Sequence, residues 1–383
     1  MMSGVLAAVL VAAAGLVAFP GTAAASVTWT SVPPAGPGDQ NHLVTVTVLS
    51  PSDAWAAGWS TFDDEVGGLI EHWDGASWQQ VPSPNPGTDM ETDILGIRAV
   101  SATDIWAVGR YLVSDGAYRS LILHWDGSSW QQVPSPNPAG TGQGDDNSLY
   151  AVTASSSSSA WAVGQAAAFG SVSKTLVLHW NGTSWKRVPS PSPGSAGNML
   201  GSVAASASRA WAVGSADSRG TQKTLVLRWN GTAWKHVTSP SPGSAANSLE
   251  AVRSLSASSA WAVGSYSSHA HGARARTLAL HWNGSRWKRV ATPDPGGSGQ
   301  QNELSGLAVL SSANAWATGS YRNGTAFRTL ILHWNGTAWK HVTSPNPGGS
   351  GRLGGAGASS SDSIWTVGSG RPDDRQAISL HCC

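Results

Sequence analysis

Cysteine is almost missing from this chain: there are two in 383 residues, Cys382 and Cys383, side by side at the C-terminus. Adjacent cysteines link only through a strained ring, so no disulfide framework staples the fold and packing must hold it. Charge is scarce as well, with Asp, Glu, Lys and Arg at 12% and a formal net charge of +1. That balance excludes the broad basic surface of a general nucleic-acid binder. Beyond residue 25 no apolar run reaches the roughly 20 residues of a membrane-spanning helix, so stable membrane insertion is not expected. Helical periodicity is absent throughout, which excludes a helical solenoid. Neither GxSxG nor HExxH occurs, and no convergent Arg, Tyr and Glu set or Tyr–Cys pair suggests a catalytic centre.

What the chain has in abundance is tryptophan. Of 21 tryptophans, all but Trp59 fall at three recurring positions. One position is the Trp of AWAVG and its variants: Trp55, Trp106, Trp161, Trp211, Trp261, Trp316 and Trp365, in steps of 49 to 55 residues. The other two flank Asn-Gly or Asp-Gly in units such as TLVLHWNGTSWKRVPSPSPG, residues 175–194. Two runs rich in Leu, Val and Trp around such a dipeptide read as a β-hairpin with a type I′ turn. With an apolar segment upstream, as at Leu149–Thr153, each repeat offers four short strands. A period of about fifty residues with four strands is the blade of a β-propeller.

The last copy is split. Residues 378–381 open it at the C-terminus, and Thr28–Gly38 supplies its second half at the N-terminus. Pairing these segments closes a ring and removes its free edges. The expected fold is therefore all-β: a seven-bladed propeller of four-stranded antiparallel blades, closed by the N-terminal strand. The domain covers 26–383, with blades at approximately 39–87, 90–138, 147–193, 198–242, 247–295, 302–347 and 352–383 plus 26–38. Residues 1–25 form an apolar segment ending in Ala23-Ala24-Ala25, which fits a cleaved secretory signal although no Lys or Arg precedes it. A secreted, monomeric protein is expected.

Strand order divides the connections between two faces. Short first-to-second and third-to-fourth turns share one face; the variable segments near 59–68, 110–118, 165–174, 265–276 and 320–327 lie on the other. Long loops on a rigid scaffold are where binding is expected. There Trp59, Tyr111, Tyr266 and Tyr321 follow the strand-two glycine by one or two residues, and their rings suit stacking on sugars or anchoring a partner. Loop packing is the equal alternative. Acidic groups gather on the same face: Asp63, Asp64 and Glu65, then Asp89, Glu91 and Asp93, then Asp145 and Asp146. They would suit Ca²⁺ or a basic partner, against a plainly solvated surface, but their spacing matches no defined metal loop.

Other repeated groups read as structural. His72, His124, His179, His281, His333 and His381 recur at one strand position, which points to a repeated hydrogen bond rather than a metal site. His269 and His271 have two-ligand spacing in a solvated loop. The Asn-Gly-Ser/Thr triplets sit at hairpin turns, and the basic residues of the outer strands at 186–187, 235, 288–289 and 340 guard sheet edges. Charge is bipolar: residues 26–150 hold three basic and fifteen acidic side chains, residues 151–383 twenty and seven.

The WAVG segments and the passage HWNGTSWKRVPSP resemble kelch-type propellers, and the whole pattern is similar to exported bacterial repeat proteins described as propeller-like. Kelch repeats carry a second glycine after strand two; here Trp59, Arg110, Gln165 or Ser follows instead. The resemblance implies a binding scaffold. The expected function is non-catalytic recognition of an extracellular carbohydrate or protein by the long-loop face through Trp59, Tyr111, Tyr266, Tyr321, Asp63, Asp64 and Glu65. The competing expectations are a polysaccharide hydrolase or lyase using acids of that face, and a structural surface scaffold. No catalytic residue, metal site or cofactor is assigned.

Overall fold

The computed structural model of the protein describes residues 28–63, 65–87, 91–206, 209–268, 274–370 and 376–382. Asp64, Asp89, His269, His271, Cys383 and the segment 1–25 lie outside the described residues. Apart from one short 3₁₀ turn, Pro347–Gly349, the regular structure is all strand, in five four-stranded sheets and one of eight strands. The eight-stranded sheet consists of two four-stranded sets, beginning at Thr92–Ser101 and Asp146–Ser156, linked by one parallel pairing of Asp146 with Tyr118.

Each set follows the repeat. In the first, a long inner strand (Gln40–Ser50) pairs with the Trp55 strand (Asp53–Phe62). A third strand (Glu65–Trp73) and a short outer one (Trp78–Gln80) follow. The last set alone takes its outer strand from the other end of the chain: Trp29–Ser31 pairs antiparallel with Gln376–Cys382, Trp29 opposite Cys382. Cys382, buried, stands where the other third strands end in Trp. Beyond this strand the N-terminal segment is fastened by Glu71, whose buried carboxylate accepts the backbone N–H of Ala35 and Gly36 at 3.1 Å each.

The sets hold one another through tryptophan. Trp55 of the first set packs against Trp125 and Trp130 of the next, at 5.1 and 5.9 Å between ring centroids. Trp106, Trp161, Trp211 and Trp261 repeat the contact with their own successors. Trp316 meets Trp29 at 5.6 Å, and Trp365 of the last set packs on Trp73 and Trp78 of the first. These edge-on and tilted arrangements are the ones aromatic quadrupoles favour.

A second repeated device fixes the inner strands. Opposite the glycine of each AWAVG-type segment the inner strand bulges, leaving one residue unpaired between Leu43 and Thr45 and between Ile94 and Gly96, and two between Leu353 and Ala356 in the last set. The bulge presses an inner carbonyl onto that glycine: a Cβ on Gly58 would lie 1.8 Å from the His42 oxygen, and one on Gly214 2.1 Å from that of Met199. Only glycine fits there, and the bulged residue is turned out of the ladder.

Two expectations need correction. The Asn-Gly and Asp-Gly hairpins are not type I′ turns. Only the glycine has positive φ, 98° at Gly75 and 94° at Gly182, while the Asp74 and Asn181 side chains accept the N–H groups two and three residues on. The side chain completes the turn, so its own backbone need not become left-handed. The variable connections are also shorter than expected, because strand extends into them. Strand pairing continues to Phe62 opposite Glu65, Leu112 opposite Tyr118, and Asn323 opposite Ala326. The ladder hydrogen bonds persist, so hairpins lengthen the sheets where loops were expected.

Candidate functional site

Because the second strands run on, the expected contact aromatics sit within sheets. Trp59 pairs with His42 and stacks on its ring at 3.8 Å, nearly parallel. Tyr266 is only 8% exposed and belongs to an apolar cluster; its hydroxyl meets Arg289 at 2.6 Å, and the Arg289 guanidinium lies 4.6 Å from its ring centre. Tyr111 and Tyr321 are half-buried against the clusters of their neighbouring sheets. Strand alternation explains the split: the tyrosines stand two residues after the glycine and Trp59 one, so they point to opposite sheet faces. Asp63, with φ of 48°, and Glu65 are exposed at a hairpin tip with Phe62, itself 65% exposed. Phe169 is 78% exposed at another such tip, a signal missed because neither phenylalanine recurs in the repeat.

Five of the six recurring histidines make a hydrogen bond to the residue that opens the neighbouring strand, whereas His381 Nε2 is buried without a partner. His72 and His124 bond Asp53 and Asp104 at 3.0 and 2.9 Å, and His333 bonds Asn314 at 3.1 Å, each ring lying on its set's tryptophan. Where Arg228 replaces histidine it covers Trp211 instead. Among the described residues no group of three or more His, Cys, Asp or Glu is placed to hold a metal ion. Asp145 serves backbone turns, accepting from Gly142 and Phe169.

The acidic groups of the second set form a network. Arg110 bonds Asp93 at 2.9 Å and Glu91 at 3.1 Å, lies over the Tyr118 ring at 4.3 Å, and Tyr118 donates to Glu91 at 2.9 Å. Burial, with Glu91 adding to it, pushes Asp93 up to about 6 against the pull of Arg110. For Glu91 burial also raises the pKa, but hydrogen bonds from Asp93 and Tyr118 and the Arg110 charge outweigh it. Burial and then Glu91 push Tyr118 up to about 12.

The largest cavity among those described, about 560 Å³, lies on the same face between the sets beginning at Gly197–Ser206 and Ala246–Ser256. Asp217, Gln222, Asn247, Ser248, Tyr266 and Glu303 help to line it. One Asp217 carboxylate oxygen is buried without a hydrogen-bond partner. Sequence reading passed over this cleft because its residues come from three repeats and form no motif.

The inner strands together line an axial channel. Its narrower cavity, about 110 Å³, receives the bulged residues, among them Val44, Leu95, Tyr150 and Glu250. Burial, with Glu303 second among the upward pulls, raises the Glu250 pKa; a Ser248 hydrogen bond opposes. Its wider cavity, about 260 Å³, holds Arg98 and Arg253 among valines, alanines and threonines. Neither arginine was singled out from sequence, although each stands where other repeats carry threonine, alanine or glycine.

No family model and no curated protein matches the chain. Solved structures do share its course: YCF48 bound to D1 peptide (TM-score 0.54, 14% identity) covers 94% of this chain over 99% of its own. A PL25 ulvan lyase bound to -[GlcA(1-4)Rha3S]- gives a TM-score of 0.56 at 9% identity, over 92% and 95%. YCF48 from Cyanidioschyzon merolae gives 0.52 at 14%, over 92% and 98%. The fold is a β-propeller. At such identities the likeness concerns the propeller scaffold alone, and the scaffold carries unlike functions. No helix among the described residues of this propeller is long and apolar enough to cross a membrane.

Proposed function

We propose that the protein is an exported, monomeric propeller of seven blades in a closed, kelch-like ring, and that it binds an extracellular carbohydrate or protein without transforming it. Export rests on the composition of residues 1–25; seven blades rest on the repeat count and on the tryptophan contacts that run from the first set to the last and back.

The cleft of about 560 Å³ carries the binding reading. Its polar lining, to which Asp217, Gln222 and Asn247 contribute, suits a ligand rich in hydroxyl or amide groups. Trp59 and the exposed Phe62 and Phe169 extend contact area over the same face, with Asp63 and Glu65 as its acidic margin. Both a peptide and a sulfated glycan are bound by propellers of similar course.

Purified protein mixed with a panel of polysaccharides and extracellular peptides tests this reading by pull-down. Binding is expected, weakened about tenfold or more by Asp217→Ala; binding that ignores Asp217→Ala and Trp59→Ala alike overturns the choice of face. One observation favours a carbohydrate-active alternative: Glu250, kept protonated more than usual by burial, has Glu303 on the neighbouring inner strand. A carboxyl group kept protonated beside a second carboxyl group is the equipment of glycoside cleavage. Release of new reducing ends, lost in Glu250→Gln, would establish that alternative.

A further inference from the structure

The axial channel places two cations face to face. Arg98 and Arg253 come from the second and fifth inner strands, each opposite the tryptophan of its own sheet. The equivalent residues elsewhere are Thr47, Thr153, Ala204, Ala308 and Gly357. Both guanidinium side chains line the same cavity of about 260 Å³, whose wall is otherwise apolar or small. Among the described residues no carboxylate lies within ion-pair distance of either. Among the described residues the one hydrogen bond of the Arg253 side chain goes to the carbonyl of Val252 at 2.9 Å, and the Arg98 side chain has none.

Burial lowers both pKa values, and Arg98 adds to the effect on Arg253, which falls to about 10. Both groups therefore remain charged at neutral pH. Arg98 keeps substantial contact with water because the channel itself is open, although protein surrounds it. Two like charges lining one channel repel, and a guanidinium offers five donors in a fork that matches planar or tetrahedral oxyanions. Glu250 does not neutralise them: the charge that bears on it is Glu303.

We propose that Arg98 and Arg253 form a binding site for one oxyanion group (carboxylate, sulfate or phosphate) inside the axial channel. The cavity has several times the roughly 30 Å³ share of a water in the liquid, so it admits such a group with some of its hydration. The arginines lie toward the ends of their inner strands that lead into the short turns. The anion therefore enters from the face opposite the cleft, and this site stands independently of the function proposed above. Its occupant is either a free ion or the acidic group of a chain end reaching into the channel.

Calorimetric titration of the full chain at constant ionic strength, with chloride as the balancing ion, tests the site. Sulfate, phosphate and acetate represent free ions, and a short oligogalacturonate represents a carboxylate carried by a chain. Saturable binding is expected for at least one of them, weakened tenfold or more by Arg98→Thr and by Arg253→Ala. These substitutions install side chains already present at the equivalent positions, and in chloride both variants are expected to melt no lower than the parent. Tighter binding of the oligosaccharide than of acetate assigns the site to a chain end, and the reverse assigns it to a free ion. No saturable binding by any of the four, or affinities unchanged in both variants, overturns the proposal. If the variants do not fold, selenate soaked into crystals of the parent decides it: an anomalous peak between the two guanidiniums is required.

Discussion

At the scale of the residue, the decisive positions are those where one atom more would not fit. Gly214 faces a backbone oxygen, which cannot swing aside as a side chain would. Gly214→Ala is therefore expected to cost roughly 3 kcal/mol or more in a denaturation experiment. Gly299→Ala, with nothing within 4 Å and no positive φ, should stay within about 0.5 kcal/mol. Charge makes a second prediction at this scale. Asp93 is raised to about 6, mainly by burial, so the fold prefers its protonated form. Its contribution to stability is complete below the ordinary carboxylate range and is lost as pH rises through about 6. Relative to Asp93→Asn, the parent should lose stability between about pH 4 and pH 6; a constant difference over that interval would contradict the assignment.

At the scale of the element, the outer strand Trp29–Ser31 is short yet carries a buried tryptophan against Trp316 and supplies the edge the last sheet lacks. Trp29→Ala is expected to cost about 3–5 kcal/mol, measured by chemical denaturation. This split set was legible in the sequence because the missing half of the last copy stands at the other end. The four-strand pattern was legible for a similar reason: the second, third and fourth strands each carry a recurring tryptophan, and an apolar segment precedes them. The turn conformation was not, since Asn-Gly serves a side-chain-capped turn as readily as a type I′ one. Nor was the burial of Tyr266, because the lengthening of a hairpin depends on ladder pairs that leave no compositional mark. Arg98 and Arg253 were hidden differently: a channel takes one residue from each repeat, so its chemistry appears only once the register is known.

At the scale of the whole molecule, repetition turns small effects into large ones. Burial lowers the pKa of His179, His281, His333, His341 and His381. For each, the neutral ring is the form the fold accepts, so its contribution is complete above about pH 6.5 and is lost as pH falls below that value through the lowered pKa of the folded state. The protein should melt at progressively lower temperature between pH 7.5 and pH 5.5. A combined His179→Gln, His281→Gln and His333→Gln variant should show a flatter profile; an equal slope would mean that other groups govern acid sensitivity.

The clasp between the chain ends has a mechanical consequence. Trp29 lies opposite Cys382, so the two ends of the chain leave the strand pair at the same side. Tension applied between them would load the hydrogen bonds one after another, as in a zipper, rather than all at once. A molecule tethered at both ends would therefore open at low force, whereas one tethered at a single end and pulled through its ligand would leave the clasp unloaded. The junction that completes the fold is thus also where stretching would begin to undo it, and single-molecule extension between the termini should show this as a first, low-force step.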